Sequence, residues 1–240
     1  MTGAATVHHP HPELPLTVAL RGEGRPALVL HGGAGPDSMT AIVDHLAQTH
    51  HVLAPTHPGW DGTPRPSWFA GVDGLVETYL DLIDDLGLHE LLVLGSSFGG
   101  WVAAEIAVRD RGRRLSELVL VDAIGPVIPG QSIAVPGGPP PGPGAGPRRG
   151  LDPRNMQALA VYAGSDTGDP KLLSRLSRVK ARTLLLWGDE DVVVAPEFGR
   201  AYAGAIPGAR FELIEGGGHI PTREQPEATL AALDRFLSNS

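Results

Sequence analysis

Leu91-Leu92-Val93-Leu94-Gly95-Ser96-Ser97-Phe98-Gly99-Gly100 is the stretch on which the fold turns. Its first four residues form an apolar run too short for a helix, and they read as a buried strand. Phe98 to Val108 reads as a helix. Between the two lies Gly-x-Ser-x-Gly, centred on Ser97, with Ser96 beside it but outside the central position. The pattern alone occurs by chance, and its place between a strand and a helix gives it weight. A serine on a sharp strand-to-helix turn projects its Oγ above the sheet. Small residues two before and two after let the neighbouring backbone come close. The helix N-terminus sets positive partial charge beside any oxyanion that forms there.

Working outward, the same rhythm repeats. Asp73 to Leu86 is amphipathic, with Leu75, Val76, Tyr79, Leu82, Ile83 and Leu86 on one face and Gly87 as its stop. Leu16 to Leu20, Ala27 to Leu30, Val52 to Ala54, Leu118 to Val121, Thr183 to Leu186 and Phe211 to Ile214 read as strands. Thr40 to Thr49, Pro196 to Ala205 and Glu224 to Leu237 read as helices. Continuous apolar strands separated by helices imply an α/β fold, a mostly parallel sheet covered on both faces. Ligands then gather at the carboxyl ends of the strands.

Two regions break the rhythm. Met1 to Pro15 reads as a flexible tail, with His8, His9 and His11 among prolines. Residues 16 to 240 then form one domain, in which 124–181 is an insertion. Within it, Gly125 to Gly150 is dominated by Pro and Gly, which disfavour helices and central strands. It is expected to be a mobile flap, with room for a short helix at Pro153 to Tyr162.

The 240 residues are 42% hydrophobic and 19% charged, enough apolar content for a sizeable core. A net charge of -8 argues against nucleic acid as a partner. The absence of cysteine excludes disulfides, a thiolate nucleophile and zinc–thiolate sites. There is no signal-peptide pattern and no apolar run long enough for a membrane span, so a cytoplasmic location without membrane contact is expected. The oligomeric state is left open.

A serine nucleophile needs a base, and the base needs a carboxylate to fix its tautomer. Glu215-Gly216-Gly217-Gly218-His219-Ile220-Pro221 follows the last strand and offers His219. Trp187-Gly188-Asp189-Glu190-Asp191 follows another strand and offers three carboxylates. Asp122, just past Leu118 to Val121, is a further position for the acid. An oxyanion hole needs two backbone N–H donors. One is expected from Phe98, and the other from His31-Gly32-Gly33-Ala34-Gly35, with Gly33 preferred over Ala34. His31 is expected to stabilise that loop. Trp60 and Trp101 are candidates for lining a pocket.

These motifs, with His57-Pro58-Gly59, make the chain resemble the α/β-hydrolase fold family from Leu16 onward. The order Ser, Asp, His is the family's. The resemblance implies a Gly-x-x-Asp spacing for the acid, which selects Asp191 over Asp189. It also implies a triad of Ser97, Asp191 and His219, and no cofactor or metal. The expected reaction is hydrolysis of a small-molecule carboxylic ester or lactone through an acyl-enzyme. Haloalkane dehalogenases and epoxide hydrolases of this fold use an aspartate nucleophile, which Ser97 disfavours. Carbon–carbon hydrolases and hydroxynitrile lyases use the same constellation, and a ligand-binding module with little turnover is a further alternative. The chain departs from its relatives twice: the longer N-terminal hairpin is hard to find, and the helical cap that shapes their substrate pocket is reduced.

Overall fold

The structure is a computed structural model that describes residues 4–134, 152–164 and 167–238. In chain order the elements are β1 (Ala4–His11), β2 (Leu14–Arg21), β3 (Arg25–Leu30), α1 (Thr40–Leu46), β4 (His50–Pro55), α2 (Gly71–Asp85), β5 (Leu91–Ser96), α3 (Phe98–Asp110) and β6 (Leu115–Val121). The two-residue β7 (Gly125–Pro126), α4 (Pro153–Ala163), the two-residue β8 (Gly168–Asp169) and the single-turn α5 (Leu172–Arg175) come next. The chain ends with β9 (Arg182–Gly188), α6 (Pro196–Gly204), β10 (Arg210–Ile214), the single-turn α7 (Pro221–Glu224) and α8 (Pro226–Leu237).

Eight strands form one sheet in the order β1-β2-β4-β3-β5-β6-β9-β10. The β1/β2 and β2/β4 pairs are antiparallel, and every pair from β4 to β10 is parallel. Alternate strand residues serve opposite faces, as strand geometry requires. Leu28, Leu30, Val93, Leu120 and Trp187 join the layer beneath α2, α3 and α6. Ala27, Val29, Leu92, Leu94, Val121 and Leu186 join the layer beneath α1 and α8. This two-sided burial is why the central strands read as unbroken apolar runs. Helix α3 is buried on nearly every face, including Glu105 and Asp110, because it crosses the middle of one layer.

The tail expected over residues 1–15 is corrected here. Ala4–His11 is a strand paired antiparallel with Leu14–Arg21, and it supplies the missing hairpin. It is an edge strand whose described side chains are exposed or half-buried, so no apolar alternation marks it. Its ladder is irregular between His8 and His11, and Pro10 sits in that irregular stretch, where its missing donor is tolerated. Of the expected flap, residues 135–151 lie outside the described residues. No described helix is long and apolar enough to cross a membrane.

Candidate active site

Ser97 links β5 to α3 with φ 52° and ψ −117°, a conformation non-glycine residues seldom adopt. The surrounding backbone imposes it. The Ser97 N–H donates to the Val121 carbonyl at 2.9 Å. The Ser97 carbonyl accepts from Gly100, Trp101 and Ile124 at 3.0, 3.3 and 3.2 Å. The flanking glycines allow the fit: a Cβ on Gly95 would lie 2.2 Å from the Gly99 carbonyl oxygen, and one on Gly99 would lie 2.3 Å from that of Leu30. The motif is thus a point where β3, β5 and α3 touch through bare backbone.

The turn delivers Ser97 Oγ to 2.9 Å from His219 Nε2. His219 Nδ1 lies 2.8 Å from Asp191 Oδ2. Among the three carboxylates after β9, geometry therefore sets Asp191 against His219. Its other oxygen, Oδ1, accepts the N–H groups of Val193 and Val194 at 2.7 and 3.0 Å. A buried carboxylate satisfied in this way is affordable and rigid. Its neighbours hold the histidine loop instead. Asp189 accepts the Gly216 N–H at 2.7 Å, the Glu190 N–H donates to the Gly217 carbonyl, and Glu224 of α7 accepts the Gly218 N–H. With Nδ1–H donated to Asp191, Nε2 is left to accept the Ser97 hydroxyl proton.

In the loop after β3 and at the start of α3, the N–H groups of Gly33, Ala34 and Phe98 have no acceptor among the described residues. Gly32 packs so closely that an added Cβ would sit 2.9 Å from Ser97 Cβ. The Gly32 carbonyl accepts from His31 Nδ1 at 2.8 Å and from the Gly35 N–H at 3.1 Å. That carbonyl shares a peptide plane with the Gly33 N–H. Fixing the one aims the other in the opposite direction. Further bonds lock His31 in turn. Its Nε2 accepts the His57 N–H at 3.0 Å, and His57 Nε2 donates to the His31 carbonyl at 2.9 Å. His57 Nδ1 accepts the Tyr79 hydroxyl proton. Both rings are therefore neutral. Burial lowers the His31 pKa to about 4. Burial, then repulsion from His31, holds that of His57 well below its ordinary value.

The model of the "Alpha/beta hydrolase family" matches residues 27–233. The chain belongs to the alpha/beta hydrolase family. A 2-hydroxymuconate semialdehyde hydrolase of Pseudomonas putida is 34% identical over 118 residues, which cover 45% of this chain and 40% of that protein. A poly(3-hydroxyalkanoate) depolymerase of Ectopseudomonas oleovorans is 26% identical over 88% of this chain and 84% of its own. Among solved structures, a thermophilic esterase from Thermogutta terrifontis superposes with a TM-score of 0.78 at 21% identity, covering 98% of each chain.

The aromatic candidates in this hydrolase split from their expected role. Trp60 has no exposed surface. It stacks between Phe98 and Tyr162, with ring centroids 5.8 and 5.6 Å away, and its indole N–H donates to the Gly33 carbonyl at 3.3 Å. It backs the loop after β3 and does not line an open pocket. Trp101 is 4% exposed and packs edge-on against Phe98 and over Gly125. Helix α4 seats on the same loops. Asn155 exchanges two hydrogen bonds of 3.1 Å with Asp61, and the Tyr162 hydroxyl donates to the Pro58 carbonyl at 2.8 Å. The bracing roles of Asp189, Glu224 and Tyr79 escaped the sequence reading, in which Asp189 stood as a rejected candidate for the acid and Tyr79 as an apolar-face residue of its helix.

Proposed function

We propose that this hydrolase cleaves a small carboxylic ester or lactone through an acyl-enzyme on Ser97. The observation that carries the reading is the continuous chain from Ser97 Oγ through His219 to Asp191, with the Gly33 and Phe98 amides left without an acceptor among the described residues. Ser97 Oγ attacks the carbonyl carbon while His219 Nε2 takes its proton. The N–H groups of Phe98 and Gly33 hold the oxyanion, helped by the N-terminus of α3. As the tetrahedral intermediate collapses, the leaving alkoxide receives the proton from His219. A water molecule then repeats the sequence on the acyl-enzyme and releases the acid. Asp191 holds the imidazole tautomer and balances the transient imidazolium. No step requires a cofactor, and a cytoplasmic location fits the reading.

The similarity to a poly(3-hydroxyalkanoate) depolymerase and to an esterase favours an oxygen ester. Similarity to a 2-hydroxymuconate semialdehyde hydrolase favours a second reading, hydrolysis of a carbon–carbon bond on the same constellation. The test is fluorophosphonate labelling followed by peptide mapping, together with turnover of aryl esters, lactones and vinylogous diketones. The expected result is a label on Ser97 and fastest turnover of the esters or lactones. A label that persists in Ser97→Ala would refute the nucleophile. Turnover of the diketones alone would shift the reading to carbon–carbon hydrolysis.

A further inference from the structure

Asp122 follows β6 and has no task in the mechanism above. Its backbone is in the left-handed region at φ 44°, and its N–H donates to the Leu186 carbonyl at 3.0 Å. The side chain is fully buried. Oδ1 accepts the Gly188 N–H at 2.9 Å, at the end of β9 and three residues before Asp191. Oδ2 is buried with no hydrogen-bond partner among the described residues. The Gly188 bond sets the Asp122 carboxyl at the head of the turn that carries Asp191, whose own oxygens are taken by Val193, Val194 and His219. Glu224 of α7, also acidic, acts on Asp122 in the same sense as Asp191. Two buried carboxylates that act on each other repel.

We propose that Asp122 is a positioning residue that carries a proton and presents a neutral carboxyl to Asp191, so that the pair holds one negative charge for His219. The proton gives the orphan oxygen a donor, and it turns carboxylate repulsion into attraction. Burial, then the Asp191 charge, push the Asp122 carboxyl well above the usual carboxylate range, in the same direction. The inference rests on Asp191 being the acid of the proposed mechanism. It assigns Asp122 a different part from that of an alternative acid: it steadies the acid from behind.

Infrared difference spectroscopy tests this without turnover. At neutral pH, Ser97→Ala should show a protonated-carboxyl C=O band that is missing when Asp122→Asn is added. In the chain that retains Ser97, Asp122→Asn copies the neutral acid: it keeps an acceptor for Gly188 and a donor towards Asp191. Its kcat should stay near that of the wild type, whereas Asp122→Ala should lower kcat about tenfold with KM little changed. At pH 8, Asp122→Asn should be at least as stable as the wild type, because a group kept neutral by folding costs stability as pH rises above its unfolded value. Identical spectra, or a loss in Asp122→Asn as large as in Asp122→Ala, would overturn the proposal. If Asp122→Ala does not fold, the spectra and the Asn variant decide. Turnover that survives Ser97→Ala would sink the mechanism instead, with the band still readable.

Discussion

Lowering the pH should unfold this protein partly through His31. The folded ring is neutral by burial, with a pKa near 4, against an ordinary 6.5 in the unfolded chain. Below 6.5 the unfolded state binds a proton that the folded state refuses, so stability falls with pH across that window and levels off below about 4. Integrating from pH 7 to pH 5 gives a loss of about 2 kcal/mol from this one residue. His57, held low by burial and by His31, adds to the loss in the same direction. Buried acids whose pKa is raised, such as Glu105 and Asp122, act in the opposite sense, so the raw pH dependence is a sum. A variant isolates the term. His31→Asn can still donate to the Gly32 carbonyl but cannot titrate. Urea unfolding followed by tryptophan fluorescence at pH 7 and pH 5 measures both proteins. The fall in unfolding free energy between the two pH values should be smaller in His31→Asn by about 2 kcal/mol. Equal falls would show that His31 is not the buried neutral group described, and the locked loop after β3 would lose its support.

Other outcomes follow from the same contacts. Ser97→Ala should remove nearly all turnover, on the order of 10⁴-fold or more, and leave the circular dichroism spectrum unchanged. Asp191→Asn should reduce kcat by roughly 10⁴-fold, because its amide N–H favours the wrong imidazole tautomer; a loss under tenfold would move the acid elsewhere. Gly99→Ala places a Cβ 2.3 and 2.5 Å from the Leu30 and His31 carbonyl oxygens. It should cost about 1–3 kcal/mol in unfolding free energy and lower kcat together with it. Tyr79→Phe leaves His57 Nδ1 buried without its donor and should lower stability by about 1–3 kcal/mol in the same urea titration.

The parts of the fold legible in the sequence are those where burial is two-sided. Strands β3, β5, β6 and β9 show as apolar runs because each faces a packed layer on both sides. The hairpin strand β1 is illegible for the converse reason: it buries little, carries His and Pro, and is held by backbone pairing that side-chain chemistry does not report. The constellation of Ser97, Asp191 and His219 was legible because each follows a strand and the turn glycines mark the spot. Its braces were not. Tyr79 counts simply as one more apolar-face residue of α2, and nothing in its own helix indicates a bond to His57. Asp122 was visible as a position, but its meaning depends on Gly188 and Asp191, more than 60 residues on and adjacent only once β6 pairs with β9.

The surroundings of Ser97 follow one electrostatic logic. Behind the loop after β3, His31 and His57 could carry charge but are kept neutral by burial and by bonds that use each ring nitrogen once. A cation there would hold that loop through a titrating group, and the loop would loosen as that group changed state. On the acid side, Asp191 has its negative charge spread over two backbone N–H groups and His219. A second charge on Asp122 would add carboxylate repulsion beside Asp191. Keeping the neighbours neutral leaves one fixed negative charge beside His219. In the proposed mechanism, the charge that develops during reaction is then the one left to the Gly33 and Phe98 amides.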